Sequence, residues 1–181
     1  MRQKGIDYFE NSRRATLANR AYCAQNPAGW EGYSENMWGL TACDGPENTN
    51  NANPNMHFTG YNARGAAQRY VEDDGTLAPT AAGGSIPFAP EFCIPALKSM
   101  KRSLGDQLYS KYGFRDAFNL SVVRTDGTRG WFDPDYLGID QGPILIQIAN
   151  YKNDLVWNLM KKNPYIVDGL KKAGFTGGWL N

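Results

Sequence analysis

The amino-acid sequence predicts a mainly α chain whose chemistry sits in long, aromatic-rich loops. Three observations carry that expectation. Apolar residues recur at helical spacing in stretches bounded by proline and glycine. The segment 26–75 is rich in Gly, Asn and Pro and shows little periodicity. Finally, 5 Trp, 10 Tyr and 8 Phe are present, several of them in polar, Gly-rich stretches such as GWEGYSENMWGL.

Taken in order, residues 6–25 carry Ile6, Phe9, Leu17, Ala21 and Ala24 with partly helical period, and Pro27 stops the run. The long segment that follows includes PENTNNANPN. A connection of that size in a compact domain points to a functional loop, or to a chain that is part of something larger. The stretch DDGTLAPTAAGGSIPFAPEFCIPALKSMKRSL reads as a short helix around Pro79 to Gly83, a turn, and a helix from about Pro90 to Lys111. Phe92, Leu97, Met100, Leu104 and Leu108 mark its buried stripe, with Gly113 just past the end. FNLSVV is a short strand and RTDGTRG a turn.

Gly142-Pro143 then reads as a helix start, with Ile144, Leu145, Ile148, Tyr151 and Leu155 on one face and an end near Lys162. A shorter helix, YIVDGLKKAGF, follows Pro164. Asp140 and Gln141 fall at, or just before, a helix N-terminus. Charge complementarity there is worth a few tenths to about 1 kcal/mol and accounts for the acid. It leaves Gln141 and the neighbouring rings unexplained.

Composition narrows the function classes. A net charge of +1 gives no electrostatic reason to expect nucleic acid or an anionic membrane as partner. The start MRQKGIDYFENSRRA has no apolar signal core, and no run is apolar and long enough to span a bilayer, so a soluble chain is expected. Cys23, Cys43 and Cys93 are widely spaced and His57 is the lone histidine, which argues against a zinc site and for free buried thiols over a disulfide with a spare. Neither a phosphate-binding glycine loop nor a GxSxG element is present, which disfavours nucleotide and serine-hydrolase chemistry. Rings beside Asn, Asp and Gln are instead what a sugar site uses, the apolar face covering pyranose C–H groups and the polar groups bonding hydroxyls.

Five motifs, in order, carry a resemblance: NMWGLTACDGP (36–46), DDGTLAPTAAGGSIPFAPE (73–91), YGFRDAFN (112–119), WFDPDYLGIDQGPILIQIANY (131–151) and KNPYIVDGLKKAGF (162–175). Together they are similar to the glucoamylase-like family of bacterial glycoside hydrolases, including endo-β-1,2-glucanases and the C-terminal region of cyclic β-1,2-glucan synthases. The resemblance covers nearly the whole chain. It implies an (α/α)6 toroid with a cleft at one end of the helix ring, and inverting hydrolysis of a β-linked glucan, β-1,2-glucan first. It also implies action in the periplasm or outside the cell, and no metal or organic cofactor. Four or five good helix candidates are too few for a toroid, so the chain reads as the C-terminal half of the family's catalytic domain. The residue regarded as the general acid would lie on a helix before everything seen here. Ala149-Asn150 also departs from the family's usual Glu-Asn.

Against that expectation, Asp44 and Asp140 are the candidate catalytic carboxyls. Gly-Pro after Asp44 forces a turn that could aim it, or Asp44 simply forms that turn. Asp140 either caps its helix or orients water and hydroxyls together with Gln141. Asp116 either contacts sugar or forms a structural ion pair with Arg115 or another cation. Trp38, Tyr112, Phe114 and Trp131 are the candidate ring platforms, each with core packing as the competing reading, while Trp157 and Trp179 read as packing. Asp73 and Asp74 read first as a solvated turn. Two other readings stand beside hydrolysis: a glucan-binding remnant without the acid, and a half-ring completed by a second copy, since exposed helix stripes form a large apolar patch.

Overall fold

The computed structural model describes residues 1–180. Helix α1 (Tyr8–Gln25) begins where the Asp7 carboxylate accepts from the backbone N–H groups of Phe9 and Glu10. It ends at Asn26, whose left-handed backbone returns an N–H to the Tyr22 carbonyl. Helices α2 (Pro79–Gly83) and α3 (Pro90–Leu104) each start on a proline, where a missing N–H costs nothing. Helices α4 (Gly138–Asn153), α5 (Leu155–Met160) and α6 (Pro164–Lys172) close the described chain, apart from a final 3-10 turn.

Between the helices run five antiparallel two-stranded ladders. They are β1 (Arg2–Gln3) with β2 (Ile6–Asp7), β3 (Ala42–Cys43) with β4 (Asn62–Ala63), and β5 (Gly65–Ala67) with β6 (Tyr70–Glu72). The others are β7 (Tyr109–Ser110) with β8 (Gly113–Phe114), and β9 (Phe118–Val123) with β10 (Arg129–Phe132). The fold is mainly α with short strand pairs. Its core gathers Trp38, Leu77, Met100, Leu108 and Phe118 between α2, α3 and the β9–β10 hairpin. Helix α2 packs against both α3 and α4. Gly83 permits the second contact, because a Cβ there would lie 2.5 Å from Ile144 Cγ1.

Three expected features differ. The helix from Pro90 stops at Leu104, where Gly105 takes a positive φ of 49° and sends the chain through a 3-10 turn into β7 and β8. Leu108 remains buried, so the apolar period outlasts the helix. The next helix starts at Gly138, ahead of Gly142-Pro143, and Pro143 is inside it, removing one intrahelical bond. That helix breaks at Asp154, in the left-handed region (φ 54°), so α4 and α5 are separate. Of the expected buried face, only Ile144 is in the core; Leu145 is 69% and Leu155 50% exposed.

Candidate active site

The start of α4 and the β3–β4 ladder frame a cleft of about 340 Å³, with Asp44, Asp116 and Asp140 in its lining. Each acid arrives by a different route. Asp44 directly follows β3. Asp116 lies between β8 and β9, its N–H bonded to the Asp135 carbonyl at 3.2 Å. Asp140 is in the first turn of α4, and its backbone carbonyl accepts from Thr80 Oγ1 of α2 at 3.4 Å. The Asp44 N–H donates to Asp116 Oδ2 at 2.8 Å, which joins two of the segments directly.

Asp116 and Asp140 are 2% and 5% exposed and line the same cleft, near enough for each carboxyl to shift the other's proton affinity. Two buried carboxyls so near each other ionise together only at extra cost, which favours retention of a proton on one of them. Burial, with the Asp140 charge added, pushes Asp116 up to about 6 despite the favourable Asp44 N–H. Asp140 is also raised, chiefly by burial and then by the charges of Asp133 and Asp44, while Asp116 works the other way. Asp140 Oδ2 is buried without a partner, and the side chain caps no backbone N–H of its helix. The acid at the helix mouth is therefore no cap. It points into the carboxyl cluster with one acceptor free.

Asp133, 3% exposed, is a fourth acid that sequence reasoning missed. Its Oδ1 accepts from the Asp135 N–H at 2.6 Å, and Arg115 Nη1 donates to its carbonyl at 2.8 Å. Burial raises Asp133, with further push from Asp116 and Asp44. Asp44, Asp133 and Asp135 offer oxygens within 4.8 Å of one another. Such a set can accept sugar hydroxyls or hold a hard cation. The signal for Asp133 was available in WFDPDYLGID, where acids crowd the turn before the helix.

The other candidates scatter. The expected Arg115–Asp116 ion pair is absent among the described residues; Arg115 braces the Asp133 backbone and sits over the Tyr136 ring at 5.5 Å. Gln141 Nε2 donates to the Phe114 carbonyl at 2.5 Å, tying α4 to β8, and its amide packs on Gly113. Trp38 (1% exposed) and Phe114 are core rings with no face open to a sugar. Tyr112 is exposed but stands edge-on to Tyr136 beside the cleft, outside its lining. Trp131 packs on Cys43, Ala78 and Ala117 and borders a different hollow with Glu47 and Arg124. Ala149 faces a shallow groove with Leu145 and Lys152, so its departure from Glu does not touch the acid cleft.

Asp73 and Asp74 are no solvated turn. The Asp73 carboxylate accepts from Tyr22 Oη and Trp30 Nε1, both at 2.9 Å, and from Tyr33 Oη at 2.6 Å. Much of the aromatic content near GWEGYSENMWGL is thus structural, rings buried by area and anchored by their polar ends. Asp74 binds Arg64 through two bonds, Nε–Oδ1 at 2.7 Å and Nη2–Oδ2 at 2.8 Å. The same guanidinium donates to the carbonyls of Cys43 (2.8 Å) and Gly60 (2.7 Å). Burial opposes the Asp74 charge, yet Arg64 outweighs it and holds the carboxyl below its usual range. Cys23, Cys43 and Cys93 are free and buried, which pushes each thiol up to about 12.

Residues 1–164 match the family model described as "Putative glucoamylase", and the chain belongs to that glucoamylase-like family. It is 37% identical over 169 residues to an exo β-1,2-glucooligosaccharide sophorohydrolase (non-reducing end) of Parabacteroides distasonis. The matched stretch is 93% of this chain but 20% of that protein. An endo-β-1,2-glucanase from Chitinophaga pinensis, solved with sophorotriose and glucose, superposes with TM-score 0.80 at 34% identity, over 99% of this chain and 38% of that one. A β-1,2-glucanase from Parabacteroides distasonis gives 0.77 at 36% identity, over 94% of this chain and 22% of that one. The chain therefore spans well under half the length of these relatives.

Proposed function

We propose that this glucoamylase-family chain supplies the carboxyl-bearing wall of a β-glucan hydrolase, with β-1,2-glucan as its substrate. One observation carries the reading: a cleft lined by three convergent carboxyls, Asp44, Asp116 and Asp140, of which Asp116 is pushed up to about 6 by burial and its acidic neighbours. Relatives with β-1,2-glucan-cleaving names support the linkage.

Inverting hydrolysis needs an acid and a base about 6.5–9.5 Å apart, with room for water between them. Asp116 and Asp140 are neighbours in the cleft, so they act as one unit and not as the opposed pair. Asp116 holds the proton beside Asp140, and Asp140 Oδ1, the oxygen of that carboxyl that is not buried, accepts from a sugar hydroxyl or the attacking water. Asp44, held by its N–H on Asp116, is the third polar group of this wall. The opposed carboxyl belongs to a helix beyond this constellation. In this reading α4, α5 and α6 are an arc of an (α/α)6 toroid, and the remaining helices cover their exposed apolar face. A second copy is the competing cover, separated by the sedimentation mass. Action outside the cytoplasm is part of the same proposal.

The test is reducing-end release on β-1,2-, β-1,3-, β-1,4- and α-1,4-glucans by a protein in which this chain is joined to the helices that supply the opposed carboxyl. Turnover of the β-1,2 polymer alone, reduced about 100-fold or more in Asp140→Asn, is the expected outcome. Turnover of an α-1,4 polymer instead would overturn the assignment. The nearness of Asp116 and Asp140 favours one second reading, saccharide binding without hydrolysis. In that case β-1,2-glucan binds and no reducing ends appear.

A further inference from the structure

The sequence pointed to Trp38, Tyr112, Phe114 and Trp131 as sugar-facing rings, and none of them lines the acid cleft. One ring does. Tyr61 is 70% exposed and lines the cleft. Its place follows from the β3–β4 register. Ala42 faces Ala63 and Cys43 faces Asn62, so the next opposed positions are Asp44 and Tyr61. The ladder thus delivers an acid on one strand and a ring on the other to the same end.

That end is braced. Gly60, with φ 61°, turns the chain just before Tyr61, and its N–H bonds the Pro46 carbonyl at 3.1 Å. Arg64 holds the carbonyl of Cys43, preceding Asp44, and that of Gly60, preceding Tyr61. A single buried guanidinium therefore fixes the spacing of the acid and the ring. Leu137 and Ile139, the latter 78% exposed, line the same cleft. An exposed aromatic wall, an aliphatic wall and a carboxyl floor match the amphipathic faces of a pyranose.

We infer that Tyr61 is the stacking residue of a glucosyl subsite, its ring covering the C–H face of a β-1,2-linked sugar whose hydroxyls meet Asp44 and Asp140. This rests on the saccharide reading of the cleft and adds the residue that determines its affinity. The Tyr61 hydroxyl bonds nothing among the described residues, so recognition is by ring face and not by the phenol. Truncating so exposed a side chain leaves the core intact.

Sophorose is the probe, titrated calorimetrically into the full chain, with thermal melts as the folding control. Tyr61→Ala is expected to weaken binding about tenfold and Tyr61→Phe by less than about twofold. Tyr70→Ala, an exposed tyrosine on β6 outside the cleft, is expected to change nothing. Sophorose binding unchanged in Tyr61→Ala would overturn the inference and leave the saccharide reading standing. No sophorose binding by the unaltered chain would overturn both.

Discussion

The loop-built middle of the molecule and its C-terminal helices invert the usual rule. Segments that read as polar and irregular bury Arg64, Asp74, Asp116, Asn119 and Asp133. Helices that read as apolar expose Leu145, Ile146, Tyr151, Leu155, Leu159 and Met160. The difference lies in the partners. In the middle most buried polar groups meet another, as when Asn119 Nδ2 donates to the Asp74 carbonyl at 2.9 Å and to Thr76 Oγ1 at 3.1 Å, so burial is affordable. Helices α4 and α5 instead turn most of their apolar stripe outward, and within this chain only Ile144 of the stripe reaches the core.

The sharpest way to break that comparison is at Arg64. Arg64→Met leaves the Asp74 charge buried without its cation, though still bonded by Thr59 and the Thr76 N–H, and a loss of about 3–5 kcal/mol is expected, read by urea denaturation. A loss under about 1 kcal/mol would mean that the buried network contributes little. The pair also has a pH signature. Asp74 is depressed in the folded state, so its stabilisation is present above the unfolded carboxylate pKa and fades as pH falls through the lower folded value.

Asp116 has the opposite sign and a smaller effect. Its folded pKa of about 6 lies above the unfolded value, so the folded state binds the extra proton and stability declines as pH rises towards 6. Asp116→Asn keeps an acceptor for the Asp44 N–H and a donor for Asp140. It is expected to gain stability over the unaltered chain by about 2 kcal/mol as pH goes from about 4 to about 7. Thermal melts across that range check it, and a flat difference would remove the retained proton. The smallest effect belongs to the other region. Leu145→Ser should shift stability by no more than about 0.5 kcal/mol, whereas a buried leucine lost to a small residue costs about 2–5.

The helix-forming stretches, the proline starts of α2, α3 and α6 and the free cysteines were legible because each rests on local chemistry. A proline at a first turn or an odd set of distant thiols means much the same in any fold. The end of α3 was less legible, since Gly105 terminates the helix while the apolar period continues to Leu108. At the site, Asp44, Asp116 and Asp140 were named from sequence, but their relation was not. Nothing local puts Asp116 against Asp140, or separates a ring that anchors on Asp73 from one that faces a cleft. Tyr61 went unnoticed because its meaning depends on being opposite Asp44 in a ladder only two residues long.

The sequence by itself determined the family, the helical character and which acids were worth watching, because motif order and apolar spacing are one-dimensional. Tertiary structure alone decided which carboxyl keeps a proton, which arginine spaces the cleft and which rings remain open. Those properties depend on desolvation and on distances between segments far apart in the chain, and no local pattern encodes either.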